Sequence, residues 1–143
     1  MPAGRSDDAV PPCGSGDLAV VVSWEHDGDG LRGQVIAENV SGRACRLEGK
    51  PGVTPLQPGG APLPVTTTVT LEMLEPGYVI LQPGERAAAP VRWGSWCGQQ
   101  ASDWARVDWP SGSTVAEVHG PPQPDCVQGR PGNLTTSWFE LIR

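Results

Sequence analysis

The run Leu18-Ala19-Val20-Val21-Val22-Ser23-Trp24 is followed by Glu25-His26-Asp27-Gly28-Asp29-Gly30. Next comes Leu31-Arg32-Gly33-Gln34-Val35-Ile36-Ala37-Glu38-Asn39-Val40. The first run is rich in β-branched residues, which fit a pleated, half-buried surface. The last run alternates. Leu31, Gly33, Val35 and Ala37 fall on one side, and Arg32, Gln34, Ile36 and Glu38 on the other. Alternation with period two marks a strand with one buried face, because successive side chains point to opposite faces. Asp27-Gly28-Asp29-Gly30 carries turn residues between the two runs, so the stretch reads as a β-hairpin.

The same signals recur outward from this hairpin. Ala44–Leu47, Val53–Leu56, Val65–Leu74, Tyr78–Leu81, Ala87–Trp93, Ala101–Trp109, Thr114–Val118 and Leu134–Ile142 read as extended. Pro58, Pro62 and Pro64 make residues 57–64 a loop, since proline cannot sit inside a central strand. Pro83-Gly84 within Gln82–Glu85 fits a type II turn. Pro110-Ser111-Gly112 is a further turn, and the Pro/Gly-rich residues 121–132 are a loop. No window sustains helical periodicity. The expected fold is all-β, an immunoglobulin-like β-sandwich of about seven to nine short strands, with a closed barrel as the alternative. Residues 1–11 read as a flexible tail and residues 12–143 as one domain.

Composition narrows the function classes. The 143 residues include 19 Gly and 16 Pro, but also six Trp. Turn formers at that level with clear apolar alternation describe packed β structure rather than a disordered chain. The formal net charge is −6 and Lys50 is the only lysine. Nucleic acid demands clustered positive charge, so nucleic-acid binding is not expected, nor is attraction to an anionic membrane. The longest apolar run, Leu18–Val22, is far short of the ~20 residues of a membrane helix. Residues 1–8 (MPAGRSDD) lack the apolar core of a signal peptide.

The cysteines are Cys13, Cys45, Cys97 and Cys126. No Cys-x-x-Cys pair occurs and only His26 and His119 could assist, so no metal site and no cofactor is expected. Four cysteines allow three disulfide pairings. The favoured one is Cys13–Cys45 with Cys97–Cys126, each closing a loop of about 30 residues worth roughly 3–4 kcal/mol. Disulfides persist in oxidising compartments, which points to an extracellular or envelope-anchored domain whose export signal or anchor lies outside this stretch. The alternative is four buried thiols in a reducing compartment.

Asn39-Val40-Ser41-Gly42-Arg43-Ala44-Cys45-Arg46-Leu47-Glu48-Gly49-Lys50-Pro51-Gly52-Val53 resembles a family signature: an Asn ending a strand, a polar turn, then Cys-x-Leu-x-Gly-x-Pro-Gly-Val. Pro12-Cys13, the Leu81-Gln82-Pro83-Gly84 turn leading to Trp93, then Cys97 and Cys126 match the rest of the pattern. On these residues the chain resembles the "domain of unknown function 4232" family over residues 12–142. The resemblance implies a secreted or lipoprotein-type actinobacterial domain, an all-β sandwich with paired cysteines. It implies no known activity and supplies no catalytic residues. The tryptophan-rich stretch Trp93–Trp109 is denser than the family pattern.

No enzyme is expected. His26 and His119 are the only imidazoles, no Gly-x-Ser-x-Gly occurs, and nothing ties either to a nucleophile. Glu72 with Glu75, and Asp103 with Asp108, are carboxylate pairs that read as solvated surface. Glu25–Gly30 resembles part of a calcium loop but lacks the distal bidentate Glu, and reads as an ion-free hairpin turn. Asn39-Val40-Ser41 and Asn133-Leu134-Thr135 match the glycosylation sequon by chance. The tryptophans carry the functional hint. Trp24, Trp93 and Trp109 are expected in the core. Trp96 lies in the loop Gly94–Gly98, and Trp104 is opposite in strand parity to Trp109. Trp96 and Trp104 are the candidate ligand-binding residues. The expected role is protein interaction or envelope support without catalysis. The alternative is a carbohydrate-binding module, with cell-wall glycan stacked on these two rings.

Overall fold

The computed structural model describes residues 9–142. It is all-β, with strands β1 Leu18–Asp27, β2 Gly30–Asn39, β3 Cys45–Glu48, β4 Gly52–Pro55, β5 Thr67–Val69 and β6 Tyr78–Leu81. These are followed by β7 Arg86–Trp93, β8 Trp104–Trp109, β9 Gly112–His119, β10 Leu134–Thr136 and β11 Glu140–Leu141. The expected hairpin is present: β1 and β2 pair from Leu18↔Asn39 to Asp27↔Gly30. That register leaves a two-residue loop whose first residue, Gly28, has φ 62°. Glycine supplies this left-handed backbone at low steric cost, as a type II′ hairpin turn requires.

Nine strands form one hydrogen-bonded sheet in the order β4-β8-β9-β1-β2-β7-β10-β5, with β11 also on β7, while β3 and β6 pair separately. The pairs β1–β9 and β10–β5 are parallel. The long sheet curls until its end strands meet. Thr67 Oγ1 donates to the Val53 carbonyl at 2.8 Å, and Thr136 Oγ1 donates to the Pro51 carbonyl at 2.7 Å. The result is a nearly closed, barrel-like sheet stitched at its seam by side chains rather than by a ladder.

Inside lies one core. Val22, Val35, Val53, Val91 and Val107 face inward with Trp93 and Phe139, and Cys45, Leu47 and Leu81 from β3 and β6 join them. Leu18, Val22 and Trp24 are buried along β1, as are Leu31, Val35 and Ala37 along β2, so the alternation read from sequence is the alternation of burial. The Gln82–Glu85 turn closes with Glu85 N–H on the Gln82 carbonyl at 2.9 Å, and Gly84 takes φ 85°. Both disulfides join the favoured partners, Cys13–Cys45 and Cys97–Cys126.

Two strand readings differ from the structure. The closing segment read as one strand is two, β10 and β11. Leu134–Thr136 pairs with Val91–Trp93, and Glu140–Leu141 pairs with Ala87–Ala88. Three residues, 137–139, therefore face only Ala89 and Pro90. This is a bulge at the position where proline has no N–H to give. There Ser137 N–H donates to the Pro90 carbonyl at 3.0 Å and Phe139 enters the core. The extended piece read over 65–74 is a strand only at Thr67–Val69. Beyond it, Lys50 and Trp138 take the backbone carbonyls that a neighbouring strand would otherwise use. Of the expected tail, residues 1–8 lie outside the described residues. The Val10 and Pro11 carbonyls accept hydrogen bonds from Arg46 at 2.9 and 2.8 Å.

Candidate interaction surfaces

The family-like block has a structural role at almost every position. Asn39 ends β2 fully buried. Its Nδ2 donates to the Arg43 and Leu81 carbonyls at 2.8 and 2.9 Å, and its Oδ1 accepts from Ser41 N–H and Oγ at 2.9 and 2.7 Å. Its main chain pairs with Glu85 and Gly84 of the next turn. This clamp holds the polar turn so that Cys45 meets Cys13 and Leu47 enters the core. Gly49 takes φ 81° with its N–H on the Gly77 carbonyl, and Val53 is 1% exposed.

Trp24, Trp93 and Trp109 are buried. Trp109 Nε1 donates to the Cys13 carbonyl at 2.8 Å, anchoring β8 to the first disulfide. Trp96, expected to be exposed in its loop, is half-buried. It packs on Trp93 with ring centroids 5.9 Å apart, and Trp93 packs on Trp24 at 6.3 Å. Its Nε1 donates to the Gln99 carbonyl at 2.7 Å. Gly98 leaves room for the ring, since a Cβ there would stand 2.4 Å from it. Around it, Ser95 Oγ accepts from Val127 N–H at 2.9 Å, and Trp93 Nε1 donates to the Gly132 carbonyl, knitting the loop to residues 125–132. Cys97 and Cys126 bridge the same loops at the exposed surface, whereas Cys13 and Cys45 are fully buried.

Trp104 is 48% exposed on the outer face of β8, opposite in parity to buried Trp109. Its cross-strand partner is Glu117, and the next outward pair is Arg106 with Val115, itself 56% exposed. Val115 is thus diagonal to the indole, within the reach of an aromatic side chain. The His119 ring and Glu117 carboxylate are 2.6 Å apart beside it. The structure therefore separates the two candidate tryptophans: Trp104 presents its ring outward, and Trp96 is largely occupied by its neighbours.

A second exposed feature was not singled out from sequence. Leu71 is 95% exposed, Met73 87% and Val69 51%. The residues between them are tied inward. The Glu72 carboxylate accepts from the Ser137 and Thr70 hydroxyls, Trp138 Nε1 donates to the Glu72 carbonyl at 3.0 Å, and Lys50 Nζ donates to the Thr70 and Glu72 carbonyls. The Lys50 ammonium lies 4.9 Å from the Trp138 ring centroid. The hydroxyls of Ser137 and Thr70, its own backbone and the Lys50 charge hold the Glu72 carboxyl well below the ordinary 4.5, at about 2. The alternation of apolar and polar residues in VTLEM is the sequence signal for this stripe, and it is masked because the same alternation describes an ordinary strand.

The other candidates disperse. Glu25, Asp27 and Asp29 each face an arginine, Arg32, Arg92 and Arg130, at 2.9, 3.3 and 3.8 Å, instead of converging on a cation. Among the described residues no three His, Cys, Asp or Glu side chains gather as a metal site. Arg32 and Arg92 also line an open cleft of about 450 Å³ with Ser23, Gln34 and Pro90. His26 is exposed at the end of β1. Glu75 lies on a groove apart from Glu72, and Asp108 accepts from Ser113 and Arg106. No helix among the described residues is long and apolar enough to cross a membrane.

No curated protein and no solved structure matches this chain. A family model described as "Domain of unknown function (DUF4232)" matches residues 13–137, which takes in all four cysteines, the Asn39–Val53 block and the turn at Pro83-Gly84. By that match the chain belongs to the DUF4232 family.

Proposed function

We propose that this is a non-catalytic extracellular or envelope-anchored domain that mediates protein interaction or supports envelope structure. The observation that carries the reading is the display of large apolar side chains, Leu71, Met73, Trp104 and Val115, on a body cross-linked by two disulfides. Exposed apolar chains held in place are what a partner surface uses, and disulfides are kept where the compartment is oxidising. His119 faces Glu117 rather than a serine or cysteine, which supports a role without nucleophilic chemistry. The actinobacterial, secreted and lipoprotein character belongs to this proposal. So does the finer immunoglobulin-like description, in which the separate β3–β6 pair is the second layer over the core.

The test is a photo-cross-linking residue placed at position 104 or 71 in the chain expressed in its own cells, with Ala61 as an exposed control. A discrete protein adduct at 104 or 71 but not at 61 supports the reading, and its absence at both opposes it.

A carbohydrate-binding role is the second reading, favoured by the exposed Trp104 ring beside Glu117 and Arg106. An indole face stacks on a sugar ring while flanking polar groups take its hydroxyls. Titrating tryptophan fluorescence with purified cell-wall glycans separates the two. A saturable shift lost in Trp104→Ala favours sugar, and a flat titration removes it.

A further inference from the structure

We infer that the cleft on the outer face of β1, β2 and β7 binds a small carboxylate ligand with a hydroxylated body, of the chemistry of a sugar acid. The site lies on other strands than Trp104 and the exposed stripe, and goes beyond the interaction reading above. Strand register builds it as two rows of side chains. Ser23 stands opposite Gln34, and Gln34 opposite Pro90. Two residues along, Glu25 stands opposite Arg32, and Arg32 opposite Arg92. Residues two apart in a strand share a face, so both rows point outward, away from the face that carries buried Val35 and Val91. Both rows line one cleft of about 450 Å³, within the roughly 300–1,000 Å³ usual for small-molecule sites.

Like charges directly opposite each other on paired strands are destabilising, with Cβ atoms only about 4.5–5.5 Å apart, yet Arg32 and Arg92 hold such positions in the cleft. Glu25 and Asp27 balance the two charges without exhausting the donors. Arg32 donates from Nε to Glu25 at 2.9 Å, and Arg92 donates from Nη1 to Asp27 at 3.3 Å. A guanidinium carries several N–H groups in a planar fork, so most of the donors of both arginines stay open. The Gln34 amide and the Ser23 hydroxyl make no hydrogen bond among the described residues. The cleft is thus rich in uncommitted donors. A carboxylate accepts through two oxygens, and one such group satisfies both guanidiniums and relieves their repulsion. Gln34 and Ser23 stand one row away, about 7 Å along the strands, where they meet the hydroxyls of the ligand's body, and the Pro90 ring meets its carbon face. A neutral sugar would leave the facing guanidiniums unreconciled, and a bare inorganic anion would leave Gln34 and Ser23 unused. The net charge of −6 does not set the sign of the cleft. Charges farther than about 8 Å are screened at physiological salt, and the carboxylates of Glu25 and Asp27 are already bonded to these arginines.

NMR titration of the full, nitrogen-labelled chain tests the site. Sodium glucuronate is the probe, and glucose and sodium sulfate are the controls, all at constant ionic strength. Glucuronate is expected to shift the Nε–H signals of Arg32 and Arg92 and the Gln34 side-chain amide saturably, with a dissociation constant of about 0.1–2 mM, as suits an open cleft. Arg32→Gln and Arg92→Gln, read at the Gln34 amide, are each expected to weaken binding at least about fivefold, while the backbone amide spectrum shows the fold retained. No saturable shift up to about 20 mM glucuronate would overturn the inference. So would equal shifts with glucose, equal affinity for sulfate at the same signals, or binding indifferent to both arginine variants.

Discussion

Replacing Asn39 tests the clamp at the centre of the family-like block. Asn39→Ala removes two donated and two accepted hydrogen bonds. Each contributes about 1 kcal/mol net, and a buried acceptor left unpaired costs about 1–3 kcal/mol. The Leu81 carbonyl lies opposite Cys45 in the β3–β6 ladder and keeps that partner, and half-exposed Ser41 can turn to water, so the loss is set by the four bonds rather than by an orphaned acceptor. The expected loss is about 3–4 kcal/mol. With 143 residues, the unfolding entropy is about 0.30 kcal/mol/K, so Tm falls by roughly 10–13 °C. Calorimetry with urea denaturation measures it. Asn39→Asp adds a sharper check, because a carboxylate cannot donate to either carbonyl. Burial raises that carboxyl's folded pKa above its unfolded value near 3.9. The variant's deficit should therefore grow as pH rises above about 4 and shrink as pH falls toward it. A Tm loss under about 3 °C for Asn39→Ala, or a deficit in Asn39→Asp that ignores pH, would refute the clamp.

Three further outcomes follow from the same geometry. Graded phosphine reduction with alkylation and peptide mapping should open exposed Cys97–Cys126 well before buried Cys13–Cys45; simultaneous opening would contradict the burial difference. Gly33→Ala should cost at least about 2 kcal/mol, because its Cβ would fall 1.8 Å from the Ser23 carbonyl oxygen, while Gly16→Ala meets nothing within 4 Å and should be near neutral in the same thermal melts. Glu72 has its folded pKa depressed to about 2 from an ordinary 4.5, so the hold of its carboxylate on the stripe is complete above about 4.5 and lost as pH falls toward 2. Carboxyl NMR titration should place it there, and Glu72→Gln should abolish that acid response; an ordinary titration near 4.5 would contradict the bonded geometry.

What was legible in the sequence was local. Alternation over residues 31–38 and the turn residues at 27–30 and 82–85 act over a few positions, and each appears where the chain placed it. The disulfide pairing followed the even loop spacing. Strand parity put Trp104 outward and Trp109 inward, because period two needs no tertiary knowledge. What was hidden depends on distant partners. Whether Trp96 is covered is decided by Trp93 and Gly132, and nothing within its own loop shows this. The bulge at 137–139 is set by Pro90, some fifty positions earlier, and the end of β5 by Lys50 and Trp138. Closure of the sheet is a seam that sets β5 and β10 against β4 and the residue before it, made by the Thr67 and Thr136 hydroxyls, which no strand pattern records.

The most direct test of the whole account is the state of the cysteines in the chain's own cells. Intact cells would be treated with a membrane-impermeant phosphine and maleimide, and the chain recovered for peptide mapping. The account predicts label on Cys97 and Cys126 from outside, with Cys13 and Cys45 still joined. Four free thiols that take label only after lysis would place the chain in a reducing compartment and contradict the account.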